Sequence, residues 1–145
     1  MTARAAHVYL ESSAALRDLL DGEGADTVRT ALRDAGVVAT SRLTLAEVSR
    51  VMTRLRVLEP RAGAAAGPRE AQFQSDAELW AVQPVDEAIW ERAGRPFPHE
   101  PVRIMDAIHL ATMEKLSGAL TRMTVLSTDE RVRQNARALG FDVLP

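Results

Sequence analysis

Five short apolar runs, at residues 7–10, 36–40, 79–83, 123–127 and 141–144, are separated by amphipathic helical patterns, and this alternation is the tightest constraint on the chain. Runs of this length suit strands rather than buried helices. Strands separated by helices return to run in one direction, which gives a parallel sheet covered by helices on both faces. The clearest helix starts near Thr44, where Leu45, Val48, Met52 and Leu55 form one stripe. Further helical patterns cover 13–21, 26–34, 69–78, 86–93, 106–120 and 129–139. Segment 59–68, EPRAGAAAGP, is a break in composition and is read as an exposed turn between two helices. The closing ALGFDVLP has a glycine stop followed by an edge strand.

A chain of 145 residues, 46% hydrophobic, is sized for one domain, 1–145, with a substantial core. Cysteine is absent, which excludes disulfides, thiolate ligands and a cysteine nucleophile, so any metal must be held by oxygen or histidine. The opening MTARAAHVYL is too short an apolar run for a secretory leader, and no stretch approaches the roughly 20 apolar residues of a membrane span. The expectation is a cytoplasmic protein with no membrane association. A formal net charge of -2 excludes a body that grips nucleic acid by bulk charge, while leaving room for a local basic surface. Lys115 is the only lysine, and the remaining cations are arginines, which suit bidentate contacts to phosphate.

Open parallel sheets place their sites where strands end and helices begin. Glu11 follows the run HVYL, and Asp129 follows TVLST and opens DERVRQNARAL. Asp106 opens DAIHLATMEKL, and Glu47 lies in the first turn of TLAEVSRVMTRL. Each acid alone also reads as a helix-terminal residue. Thr44 and Glu47 have capping-box spacing, and Asp106 and Asp129 would complement a helix dipole. Their faces separate the two readings. Asp106 aligns with apolar Leu110 and Met113, Asp129 aligns with Val132 and Ala136, and Glu47 flanks its stripe beside Val51. Burying unpaired carboxylates is costly, and a bound cation offsets that cost. Oxygen ligands suit a hard ion, Mg2+ or Mn2+, which can activate water for attack on a phosphodiester.

Four segments, VYLESSAAL, SRLTLAEVSRVM, RIMDAIHLATM and VLSTDERVRQNARALGFDVL, occur in this order over nearly the whole chain. In them the sequence resembles PIN-domain nucleases, most closely the toxins of VapBC toxin-antitoxin pairs. The resemblance implies an α/β fold, a PIN-like three-layer α/β/α sandwich with a central parallel sheet of four or five strands. It implies that Glu11, Glu47, Asp106 and Asp129 are the catalytic and metal-binding quartet of a Mg2+- or Mn2+-dependent endoribonuclease. It also implies an RNA substrate, a homodimer and a cognate antitoxin whose C-terminal segment covers the cleft. Ser12, Ser13 and Thr128 are read as hydroxyls that orient the acids or bound water, or equally as helix caps. Arg103, just before Asp106, is a candidate contact to substrate phosphate or a plain surface residue. His109 reads either as a general base or, more ordinarily, as a helical histidine with one hydrogen-bond partner. His7 and His99 have no evident partner, and Trp80 and Trp90 read as core or dimer-contact residues.

The first acid departs from the family, which ordinarily has aspartate in a YLDSSA-like motif where this chain has Glu11 in YLESSA. The carboxylate is displaced by one methylene, and Mg2+ tolerates little displacement. Two readings stay open: an active metal-dependent ribonuclease, or a PIN-fold regulatory or binding protein with weakened or lost cleavage. A phospho-accepting receiver domain also groups acids at strand ends, but it needs a lysine late in the chain, and none follows Lys115.

Overall fold

The computed structural model describes residues 6–145; the first five, which begin the opening stretch read above as too short for a leader, lie outside the described residues. The elements in order are β1 (His7–Leu10), α1 (Ser12–Leu19), α2 (Ala25–Asp34), β2 (Val37–Ser41), α3 (Arg42–Leu58) and α4 (Pro60–Ala77). Then come β3 (Ala81–Gln83), α5 (Glu87–Ala93), α6 (Ile104–Ser117), β4 (Met123–Leu126), α7 (Glu130–Ala138) and β5 (Asp142–Leu144). Among the described residues the strands form one sheet in the order β3-β2-β1-β4-β5. All neighbours are parallel, with His7 opposite both Val37 and Met123.

This order determines where a site can form. From β1 the chain winds through β2 to β3 on one side, then crosses to β4 and β5 on the other. The crevice beyond the carboxyl ends of β1 and β4 is therefore the topological switch point. Glu11 follows β1, and Ser127 to Asp129 follow β4. Helices α3 and α6 run back against the strands, so their first turns lie at the same edge of the sheet. The Glu11 backbone N–H donates to Leu126 O at 3.0 Å and holds the two strand ends side by side.

Alternation along β1 divides the core. Val8 and Leu10 join Leu126 in a cluster with Ala14, Leu19, Val28, Val48, Met52 and Phe73, contributed by α1 to α4. Tyr9 points to the opposite face and joins Val125, Ile89, Ile108, Leu110, Met113 and Val132, from α5 to α7. Helix α6 is buried continuously from Ala107 to Met113 and is the central helix of its layer. An Arg92–Glu114 ion pair (Nε to Oε2, 2.7 Å) ties α5 to it. Trp80 packs edge-on against Phe73, with ring centroids 5.2 Å apart, whereas Trp90 on α5 is exposed. No helix among the described residues is long and apolar enough to cross a membrane.

Three expectations require correction. Segment 59–68 is not an exposed turn, because helix α4 begins at Pro60 directly after the Glu59 end of α3. Proline is well suited to a first helical position, and alanine has the highest helix propensity, so an alanine run reads better as helix than as loop. Gly63 makes the α3–α4 hairpin tight: a Cβ there would lie 2.9 Å from Arg56 Cα. Helix α3 begins at Arg42, not near Thr44, with the Ser41 hydroxyl oxygen accepting from Leu43 N at 3.0 Å. Glu47 therefore lies in the second turn, and no Thr44–Glu47 capping box forms. Likewise α6 begins at Ile104, so Asp106 is its third residue and does not open it.

Candidate active site

Glu11 occupies the junction of β1 and α1. Its extended backbone (φ -89°, ψ 154°) caps α1, and the residue is 4% exposed. Oε1 accepts from Ser13 N at 3.1 Å, while Oε2 accepts from the Ser13 hydroxyl and from Ser127 Oγ at 2.7 Å. Both oxygens are thus engaged by the protein. Ser13 Oγ also accepts from Thr128 N at 2.9 Å and Asp129 N at 3.2 Å, joining the start of α1 to the β4–α7 junction.

Asp129 caps α7, with Oδ1 accepting from Arg131 N at 2.9 Å and Val132 N at 3.1 Å. The capping reading is therefore correct for one of its oxygens, and Oδ2 has no hydrogen bond to the described residues. Glu47 reaches inward from α3. Its Oε1 accepts from Ser12 Oγ at 2.6 Å and lies 2.7 Å from His109 Nε2. Burial acts to raise the Glu47 carboxyl, but the hydrogen bonds from His109 and Ser12 outweigh it and hold the group below the usual carboxylate range.

Asp106 differs from the other three. It is half-buried on α6 and, among the described residues, nothing donates a hydrogen bond to its side chain. Its carboxyl is pushed up, first by burial, then by the charges of Asp129 and Glu11 and, more weakly, Glu47, with His109 acting in the opposite direction. Asp106 thus experiences the field of all three other acids. His109 Nε2 also lies 3.9 Å from Glu11 Oε1, so one imidazole faces both glutamates.

The four acids predicted from sequence are brought to one end of the sheet. Among the described residues, however, no three histidine, aspartate or glutamate side chains stand together as a ready-made cage for an ion. The oxygens of Glu11 and one oxygen each of Glu47 and Asp129 are held by capping amides, hydroxyls or the imidazole. The donor set nevertheless suits a hard, largely hydrated cation, which needs only one or two direct carboxylates. The crowded charge around Asp106 would be relieved by such an ion.

The supporting residues are placed unevenly. Ser12 and Ser13 bond directly to the acids, whereas Thr128 contributes its backbone N–H and the adjacent Ser127 supplies the hydroxyl. Ser127 was not singled out in the sequence, where it is simply the last residue of an apolar run. Arg103 is exposed at the N-terminus of α6. Arg133, also not anticipated, donates from Nη1 to Ser127 O at 2.7 Å behind the β4–α7 turn. His99 is exposed, and its backbone N–H donates to Asn135 Oδ1 at 2.9 Å.

The sequence matches the PIN domain family over residues 8–138. It is 32% identical to ribonuclease VapC46 of Mycobacterium tuberculosis over 139 residues, covering 96% of this chain and 97% of that protein. Among solved structures, the fold is similar to that of VapC20 of Mycobacterium tuberculosis, described as a sarcin-ricin loop cleaving toxin. That similarity has a TM-score of 0.64 at 21% identity over 95% of this chain and 99% of the other. FitAcB of Neisseria gonorrhoeae aligns with a TM-score of 0.67 at 19% identity, covering 95% and 96% of the two chains.

Proposed function

This chain belongs to the PIN-domain family, and from that premise we propose that it is a metal-dependent endoribonuclease, the toxin of a toxin-antitoxin pair. The observation that carries the reading is Asp106, a half-buried carboxylate without a hydrogen-bond partner among the described residues, whose charge is opposed by Asp129, Glu11 and Glu47. Three further negative charges around an unpaired carboxylate are unfavourable unless a cation joins them. Asp106, Glu47 and Asp129 would hold Mg2+ or Mn2+ directly or through water, with Glu11 contributing charge from beneath. A bound divalent ion supplies an activated water and neutralises charge developing on the scissile phosphate.

The protein's own groups do the rest of the positioning. Ser12 and His109 fix Glu47, and the amides of α7 fix Asp129. Ser13 and Ser127 hold Glu11 so that its charge cannot swing away into solvent. Arg103, at the exposed start of α6, would meet substrate phosphate beside Asp106, a role its exposure and its position three residues before Asp106 support. The whole forms a single domain. A homodimer and an antitoxin that covers the cleft follow from the family resemblance, and exposed Trp90, Ile104 and Met105 on α5 and α6 offer apolar surface for a partner.

The complete engagement of Glu11 favours a second reading, a PIN-fold binding protein that retains metal but not cleavage. One experiment separates the two. RNA cleavage is followed with Mg2+, Mn2+ or EDTA, using the natural protein, Asp106→Asn and Glu11→Asp. Cleavage that EDTA and Asp106→Asn both abolish supports the nuclease. Metal binding with cleavage seen only in Glu11→Asp supports the second reading, and EDTA-resistant cleavage overturns the metal mechanism.

A further inference from the structure

We propose that His109, locked in place by Tyr9, is a positioning residue that turns Glu47 toward the metal and is not a base in the reaction; the inference rests on the metal-dependent reading above. The alternation of β1 directs Tyr9 away from the α1 side and into the layer under α6, where it is fully buried. Its hydroxyl lies 2.8 Å from His109 Nδ1. The imidazole, 1% exposed, then presents Nε2 at 2.7 Å from Glu47 Oε1 and 3.0 Å from Ser12 Oγ. A relay thus runs from the middle of β1 through α6 to α3.

The chemistry places the protons. An ionised carboxylate only accepts hydrogen bonds, and Ser12 already donates to the same Oε1. The hydrogen between Nε2 and Oε1 therefore belongs to Nε2, whether the ring is neutral or cationic. The other ring nitrogen faces a buried phenol in the core. Neither nitrogen is left free to take a proton from water in the cleft.

The same arrangement gives Glu47 a direction. Two donors converge on Oε1, while Oε2 has no hydrogen bond to the described residues and is the oxygen offered to a cation. Positioning partners of this kind commonly account for about 10- to 100-fold in metal affinity.

The test combines two measurements on the natural protein and on Tyr9→Phe, His109→Gln and His109→Asn. Imidazole 15N–1H spectra of the metal-free natural protein report which nitrogen carries hydrogen, and titration with Mn2+ alone reports affinity, with circular dichroism confirming the fold of each variant. The expected spectrum shows the hydrogen on Nε2, the nitrogen facing Glu47. Tyr9→Phe and His109→Asn are expected to bind Mn2+ about 10- to 100-fold more weakly. His109→Gln, whose amide N–H falls near the Nε2 position, is expected to retain most of the affinity. A bare Nε2, or equal affinity in all variants, overturns the inference. If the natural protein binds no Mn2+, the metal-dependent reading itself fails, and this inference with it.

Discussion

Replacing Asp106 by asparagine is expected to move stability in opposite directions with and without metal. In the metal-free protein the Asp106 carboxyl is pushed up, so its charged form is less favourable in the folded chain than in the unfolded one. A raised acid lets the folded state bind more protons than the unfolded state, so its contribution to stability falls as pH rises through the folded pKa. At neutral pH the charge is therefore a net cost, and Asn removes it. The site is half-buried and partly screened, and interactions between partly exposed charges are typically worth about 0.2–1 kcal/mol, so the gain is of that order. For a domain of this size that corresponds to an increase in Tm of up to about 4 °C.

Metal reverses the order. At 100 times its dissociation constant, an ion that binds only the folded protein adds about 2.7 kcal/mol. If losing the Asp106 carboxylate weakens binding about 100-fold, the same concentration adds only about 0.4 kcal/mol to the variant. Thermal melts with EDTA and with excess Mg2+ or Mn2+ should therefore cross. A second signature is that the natural protein, but not Asp106→Asn, shows an added increment of metal-free stability as pH falls toward the raised pKa of Asp106. Asp106→Asn being less stable than the natural protein in EDTA, or both proteins gaining equally from metal, would refute the reasoning.

Glu11→Ala is expected to destabilise the fold by roughly 2–3 kcal/mol in denaturant titration even without metal, because three donors lose a buried acceptor. Gly63→Ala is expected to cost about 1–3 kcal/mol by forcing α4 away from Arg56, whereas Gly67→Ala, with nothing within 4 Å of the new methyl group, is expected to gain up to about 1 kcal/mol; paired chemical melts compare the two. Met52→Ala, in the core beneath α3, is expected to lose about 2–5 kcal/mol while leaving Mn2+ affinity per folded molecule unchanged, as read by calorimetry.

The parts of the molecule that could be read in the sequence are those governed by local pattern and topology. Apolar runs mark strands because burial on both faces needs no alternation, and acids at the ends of such runs must lie at one edge of a parallel sheet. Glu11 and Asp129 are of this kind. Helix boundaries were less legible. Ser41 directly follows an apolar run while the helical stripe starts only at Leu45, so Thr44 reads as the cap, and glycine and proline in 59–68 outweigh alanines that in fact continue as α4. The supporting contacts were least legible of all. The Tyr9–His109 bond joins residues 100 apart and depends on which face of β1 meets which face of α6. Ser127 acquires its role only because β1 and β4 are neighbours.

That adjacency has a consequence for synthesis. Glu11 is made well before the hydroxyl that bonds it, which lies 116 residues downstream, just after β4. A nascent chain carrying Glu11 and Glu47 has no β4 to complete the central pairing and no α7 to supply Asp129. Whatever chemistry the finished pocket performs, an incomplete polypeptide still tethered to the ribosome lacks the parts to perform it.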